Sequence, residues 1–211
     1  MSEASAAQGL FISFEGIDGS GKSTQTRLLA DHLRAQGRDV VLTREPGGSR
    51  GAEEIRALVL QGEPDRWSAE TEILLFTAAR RDHLERTIRP ALAAGKVVIC
   101  DRFADSTRMY QGLSRGDLRQ TVDDLHRLMI GLEPHLTILI DMDPAKGLSR
   151  ALSRQTVEER FEDFGEELQA KMRFGFLALA KEFETRFSVI DGGRSIDDVA
   201  KDVINVVTSR A

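Results

Sequence analysis

Five short apolar runs, each separated from the next by a helical pattern, constrain this chain more than any other feature. They are LFISFE (10–15), DVVLTR (39–44), KVVICD (96–101), LTILID (136–141) and FSVID (187–191). Several are apolar almost throughout, as expected of parallel strands covered by helices on both faces. Between them lie segments such as Thr24–Gln36, with Leu28, Leu29 and Leu33 at helical spacing and Gly37 ending the run. Glu70–Ala94 carries Ile73, Leu74, Phe76 and Leu84 on a face and closes at Gly95. Pro90 inside that pattern predicts a kink or a break near Arg89. The alternation specifies an α/β fold with a parallel sheet, right-handed crossovers and helices on both faces. Residues 1–9, MSEASAAQG, read as a loose tail and residues 10–211 as a single domain.

The composition of the 211 residues, 41% apolar and 30% charged, is that of an ordinary soluble protein. A net charge of −5 argues against a nucleic-acid polymer as partner. No run approaches the roughly 18 apolar residues that cross a bilayer, and the first residues have no basic start or apolar stretch of a targeting signal. The chain is therefore expected to be cytoplasmic and free of membranes. Cys100 is the only cysteine, which rules out an intrachain disulfide and a Cys-based zinc site and reads as a buried core residue. His32, His83, His126 and His135 form no metal or catalytic pattern in the sequence, and His126 and His135 are expected at the surface or an interface.

Directly after the first run stands GIDGSGKST, Gly16 to Thr24. It matches G-x-x-x-x-G-K-[ST] in the context that motif requires, between a strand and a helix. Gly16, Gly19 and Gly21 lack a Cβ, so successive backbone N–H groups can curl around phosphate oxygens. Ser20 and Thr24 belong to the same turn, and the opening helix adds the positive end of its dipole. Lys22 can reach β- and γ-phosphates, and the Ser23 hydroxyl suits Mg²⁺. Such a loop signals nucleotide binding, ATP here, without naming the reaction.

Three further stretches follow predicted strands, where an open parallel sheet places its ligands: TREPGG (43–48), DRF (101–103) and STRMYQG (106–112). A guanine-reading N-K-x-D string is missing. VVICDR offers Asp101 followed by Arg102, and an arginine there suits a second phosphate group better than activation of water. With FEGIDGSGKST, TREPGG, FTAAR, DRF and STRMYQG in this order, nearly the whole chain resembles the thymidylate kinase family. That resemblance implies the nucleoside monophosphate kinase fold with a phosphate loop and a five-stranded parallel sheet. It implies transfer of the γ-phosphate of ATP to dTMP with Mg²⁺, giving dTDP and ADP, and a homodimer.

It also implies roles. Lys22 and Ser23 would handle the ATP phosphates and Mg²⁺, and Asp18 would accept a hydrogen bond from the dTMP 3′-hydroxyl. Arg44 and Arg102 would grip the dTMP phosphate, with Pro46 and Ser106 beside them. Phe76 would stack on thymine and Arg80 would donate to its O4. Thr107 and Gln111 would lie at the base edge, and Tyr110 where a ribose 2′-hydroxyl would sit. Asp101 would act through Mg²⁺ or its water, or by orienting Arg102. The four loop positions Ile17, Asp18, Gly19 and Ser20 include no arginine, as in the bacterial type, which places catalytic arginines in a lid. The charged segment 149–164 supplies Arg150, Arg154 and Arg160 for that lid, Arg154 foremost. The chain departs from the pattern at Arg108-Met109, where relatives often have a small residue, and at Leu152, where bacterial relatives can carry another arginine.

Overall fold

The computed structural model describes residues 9–63, 66–113, 116–153 and 165–210. The five apolar runs become strands β1 (Leu10–Glu15), β2 (Val40–Arg44), β3 (Val97–Asp101), β4 (Leu136–Asp141) and β5 (Phe187–Asp191). They pair in parallel in the order β2-β3-β1-β4-β5. The helices are α1 (Lys22–Ala35), α2 (Arg50–Leu60), α3 (Ala69–His83), α4 (Arg89–Ala93), α5 (Ala104–Tyr110), α6 (Arg119–Leu125), α7 (Pro144–Leu152), α8 (Glu166–Glu182) and α9 (Ile196–Arg210). Among the described residues, no helix is long and apolar enough to cross a membrane.

Both faces of the sheet are covered, which explains the near-continuous apolar strands. On one face Ile12, Phe14, Ile99 and Ile138 pack against Leu29 and Leu33 of α1 and Val199, Val203 and Val207 of α9. On the other, Phe11, Val98 and Cys100 meet Leu84, Ile88 and Phe103, while Leu139 meets Met172 and Phe176 of α8. Cys100 is fully buried, as expected from its run.

The disruption near Pro90 falls a turn ahead of Arg89. A wide π-helical turn, Leu84–Ile88, ends α3 and leaves Pro90 in the first turn of α4, where a missing N–H breaks no helical bond. A second such turn, His126–Ile130, follows α6. It corrects the expectation for His126, which is buried with its ring edge-to-face on Phe103 and its Nε2 at 3.2 Å from Glu133. His135 is exposed as expected.

β1 is the centre of the topology. It lies between β3 and β4, so the turns leaving the carboxyl ends of all three strands adjoin, and an open parallel sheet takes its ligands in the crevice at that edge.

Candidate active site

The turn from β1 into α1 occupies that crevice. Gly21 caps α1 with φ of 99°, a left-handed conformation, so α1 begins two residues ahead of Thr24. A side chain at Gly19 has no room either: its Cβ would stand 2.0 Å from the carbonyl oxygen of Gly147. The loop and α7 thus touch backbone to backbone. Arg150 is exposed in the last turn of α7, three residues past that contact, whereas Arg154 and Arg160 lie outside the described residues.

Lys22 is folded over the loop. Its Nζ donates to the carbonyls of Gly16 at 2.9 Å and Ile17 at 2.8 Å. Burial, helped by the nearby Arg102, pushes its pKa down to about 8 against the pull of Asp18. Ser23 Oγ donates to Asp101 Oδ2 at 2.5 Å, which sets a hydroxyl and a carboxylate side by side at the mouth of the loop. Hard oxygen donors of this kind fit Mg²⁺.

Beside the loop opens a cleft. Of the residues expected around dTMP, Asp18, Pro46, Phe76, Arg80, Arg102, Ser106, Thr107, Tyr110 and Gln111 all face it. Arg44 does not: its side chain is about half exposed and pairs with Glu53 of α2 at 3.1 Å. Phe76 is half-buried and belongs to none of the core clusters, so its ring is a wall of the cleft.

Asp18 joins the loop to this cleft. It accepts from Arg102 Nη2 and, at 3.0 Å, from the Tyr110 hydroxyl. Burial pushes its carboxyl up, but Arg102 and Lys22, with hydrogen bonds from Tyr110 and Gln169, outweigh burial and hold it below its ordinary value. At the far end, Arg80 is buried. Its Nε donates to Glu45 Oε2 at 2.7 Å and its Nη2 to Thr107 Oγ1 at 3.0 Å. The other Glu45 oxygen lies 3.0 Å from His83 Nδ1, and His83 Nε2 lies 2.8 Å from Thr43 Oγ1. Burial raises the Glu45 carboxyl, but Arg80 and His83 outweigh it and hold it below its ordinary value. Glu45, His83 and Cys100 come within 4.8 Å of one another, but Arg80 and His83 engage both Glu45 oxygens and the ring nitrogens are also occupied. The group is a hydrogen-bonded support for Arg80.

A model of the thymidylate kinase family matches residues 14–203. A thymidylate kinase of Ruegeria pomeroyi is 77% identical over 94% of both chains, and one of Dinoroseobacter shibae 64% identical over 96% of this chain and 98% of that one. The crystal structure of thymidylate kinase from Ehrlichia chaffeensis superposes with a TM-score of 0.79 at 37% identity, covering 95% of this chain and 99% of that one. The chain belongs to the thymidylate kinase family. It is a phosphotransferase with the fold that its phosphate loop and parallel sheet predict.

The structure accounts for the bulk of Arg108-Met109, where the sequence departs from the expected pattern. Both residues point away from the cleft. Arg108 is buried among Asp105, Asp123 and Glu133, each at 2.7 Å, and Met109 packs with Met172 and Phe176. Ser106, Thr107, Tyr110 and Gln111 therefore keep the cleft side of α5 and the turn after it. The sequence reading missed Glu45, Arg56, Leu60 and Phe103, which also line the cleft, and Gln169, which reaches Asp18 from α8. Glu45 sits inside the quoted TREPGG, so its motif was visible; Arg56 and Gln169 carry no local signal.

Proposed function

We propose that this chain transfers the γ-phosphate of ATP to dTMP, giving dTDP and ADP. The observation that carries the reading is the continuity between phosphate loop and cleft: Asp18, inside the loop, is bonded to Arg102 and Tyr110 of the cleft. Acceptor and donor sites that share a residue suit in-line transfer, which needs alignment, charge neutralisation and exclusion of water more than covalent chemistry.

In this reading the loop amides of Gly16, Gly19, Ser20 and Gly21, with Lys22 and Thr24, hold the ATP phosphates. Arg150 and Arg154 of the lid segment at about 149–164 close over them. Ser23 and Asp101 hold Mg²⁺, directly or through water, and the ion supplies neutralising charge to the phosphate oxygens. Arg102 holds the dTMP phosphate, joined by Arg44 once its exposed pair with Glu53 opens. Phe76 and Arg80 take the thymine, Asp18 the 3′-hydroxyl, and Tyr110, Thr107, Gln111, Ser106 and Pro46 complete the pocket. A homodimer fits the exposed apolar side chains Leu74, Leu128 and Met129 on α3 and the π-helical turn beside it. The substrates and the lone buried thiol support a cytoplasmic location, which cell fractionation tests.

The test is coupled ADP release with dTMP, dUMP, dCMP, GMP and thymidine as acceptors, with and without Mg²⁺. Turnover should require dTMP or its close analogue together with the ion. Turnover on thymidine but not dTMP, or hydrolysis indifferent to dTMP, would refute the reading.

A further inference from the structure

Glu15, the last residue of β1, is fully buried directly behind the cleft and has no part in the roles above. Its Oε1 accepts the Phe103 N–H at 2.7 Å and its Oε2 accepts the Ser106 hydroxyl at 2.6 Å. Ser106 Oγ in turn accepts from Arg102 Nη1 at 2.9 Å. Glu15 therefore grips Arg102 twice, through the peptide that follows it and, by way of one hydroxyl, through its guanidinium. Arg102 needs the grip. With φ of 68° it is the only non-glycine among the described residues in the left-handed region, which is costly for any side chain with a Cβ. The Arg102 N–H bonded to Phe14 O at 2.9 Å and the Cys100 thiol bonded to Arg102 O at 3.0 Å complete the restraint.

We propose that Glu15 is a positioning residue for phosphoryl transfer, holding Arg102 in the backbone conformation and rotamer that aim its guanidinium at the acceptor phosphate. The inference rests on the reading of Arg102 as the ligand of that phosphate. The direction of the hydrogen bonds requires two acceptors at residue 15, one for the Phe103 N–H and one for the Ser106 hydroxyl. An amide has a single acceptor oxygen, so Glu15→Gln must give up one of the two holds on Arg102.

Glu15 is also an expensive group to bury. Desolvation, reinforced by Asp105 of α5, pushes its carboxyl up to about 7 against the pull of Ser106, Arg102 and the Phe103 N–H. Lys22 of the phosphate loop and the Cys100 thiol of β3 also face it. A residue that served the scaffold alone would lose stability and activity together on replacement. A positioning carboxylate gives the opposite pattern, since Glu15→Gln keeps the volume and removes the buried charge.

The experiment compares Glu15→Gln, Ser106→Ala, their double variant and Arg102→Ala in the full chain at pH 8, by steady-state kinetics and thermal unfolding. Glu15→Gln should unfold at or above the wild-type temperature while kcat falls by about tenfold or more, because small misplacements of a positioning group are costly. The double variant should lose less than the two single losses multiplied, because the Ser106 link is one of the two holds on Arg102 that Glu15→Gln disturbs. Wild-type turnover in Glu15→Gln overturns the inference, as does an unfolding temperature that drops and takes turnover with it. An inactive Arg102→Ala beside a fully active Glu15→Gln refutes this inference alone. A fully active Arg102→Ala refutes the reading of Arg102 and the inference with it.

Discussion

Glu45→Ala tests how the base end of the cleft is held. Arg80 is 4% exposed and its Glu45 partner 3%, so this is a buried ion pair. A guanidinium keeps its charge in a protein interior. Without the carboxylate, Arg80 retains its bond to the neutral Thr107 hydroxyl and loses its countercharge, and His83 Nδ1 loses its partner as well. Stranding one half of a buried pair costs about 3–5 kcal/mol. For a chain of this size each kcal/mol lowers Tm by roughly 2–4 °C, so calorimetry should show a fall of about 6–20 °C. Urea denaturation should give the same free energy with an unchanged m value. Adding Arg80→Met removes the stranded charge. The double variant should then be more stable than Glu45→Ala, since apolar replacement of a whole buried pair is often close to neutral. It should still bind dTMP poorly. If Glu45→Ala lies within about 1 kcal/mol of wild type, or the double variant is the less stable of the two, Glu45 is not the group that holds Arg80.

Lys22→Met should abolish most turnover without lowering thermal stability at pH 7. The folded pKa of about 8 lies below the ordinary 10.5, so keeping Lys22 charged costs about 3 kcal/mol near neutrality. Wild-type stability should rise with pH between about 8 and 10.5, and the difference from Lys22→Met should shrink over that window. A flat difference across a calorimetric pH series would contradict the assignment. Leu74→Asp should convert the proposed dimer to a species of 23.4 kDa in sedimentation; a wild-type chain that already sediments at that mass would remove the dimer.

What the sequence made legible depended on how local each signal was. The strands could be read because burial on both sheet faces leaves little choice but apolar residues. Phe76 and Arg80 could be paired because four residues along α3 is one turn. Arg44 could not be aimed from its motif. Thr43 and Glu45, two residues apart at the end of β2, both turn towards His83, and the side chain between them leaves the other way, to Glu53. Gln169 and Arg56 reach the cleft region from α8 and α2, and their part exists only once the chain has folded. His126 was misjudged because polar residues are usually exposed; here the turn after α6 tucks it against Phe103.

The buried charges of Glu15 and Lys22 have a consequence for anyone engineering this protein. Uncharged residues at 15 and 22 would relieve that burial, whereas glycine at 102 would relax the backbone by about 1 kcal/mol but strand Asp18, the ion-pair partner of Arg102. A library ranked by melting temperature alone would therefore drift towards an amide at 15 and an apolar side chain at 22. Each step would look like an improvement while removing a part of the proposed transfer machinery. Selection for heat resistance has to be run with turnover as a second gate.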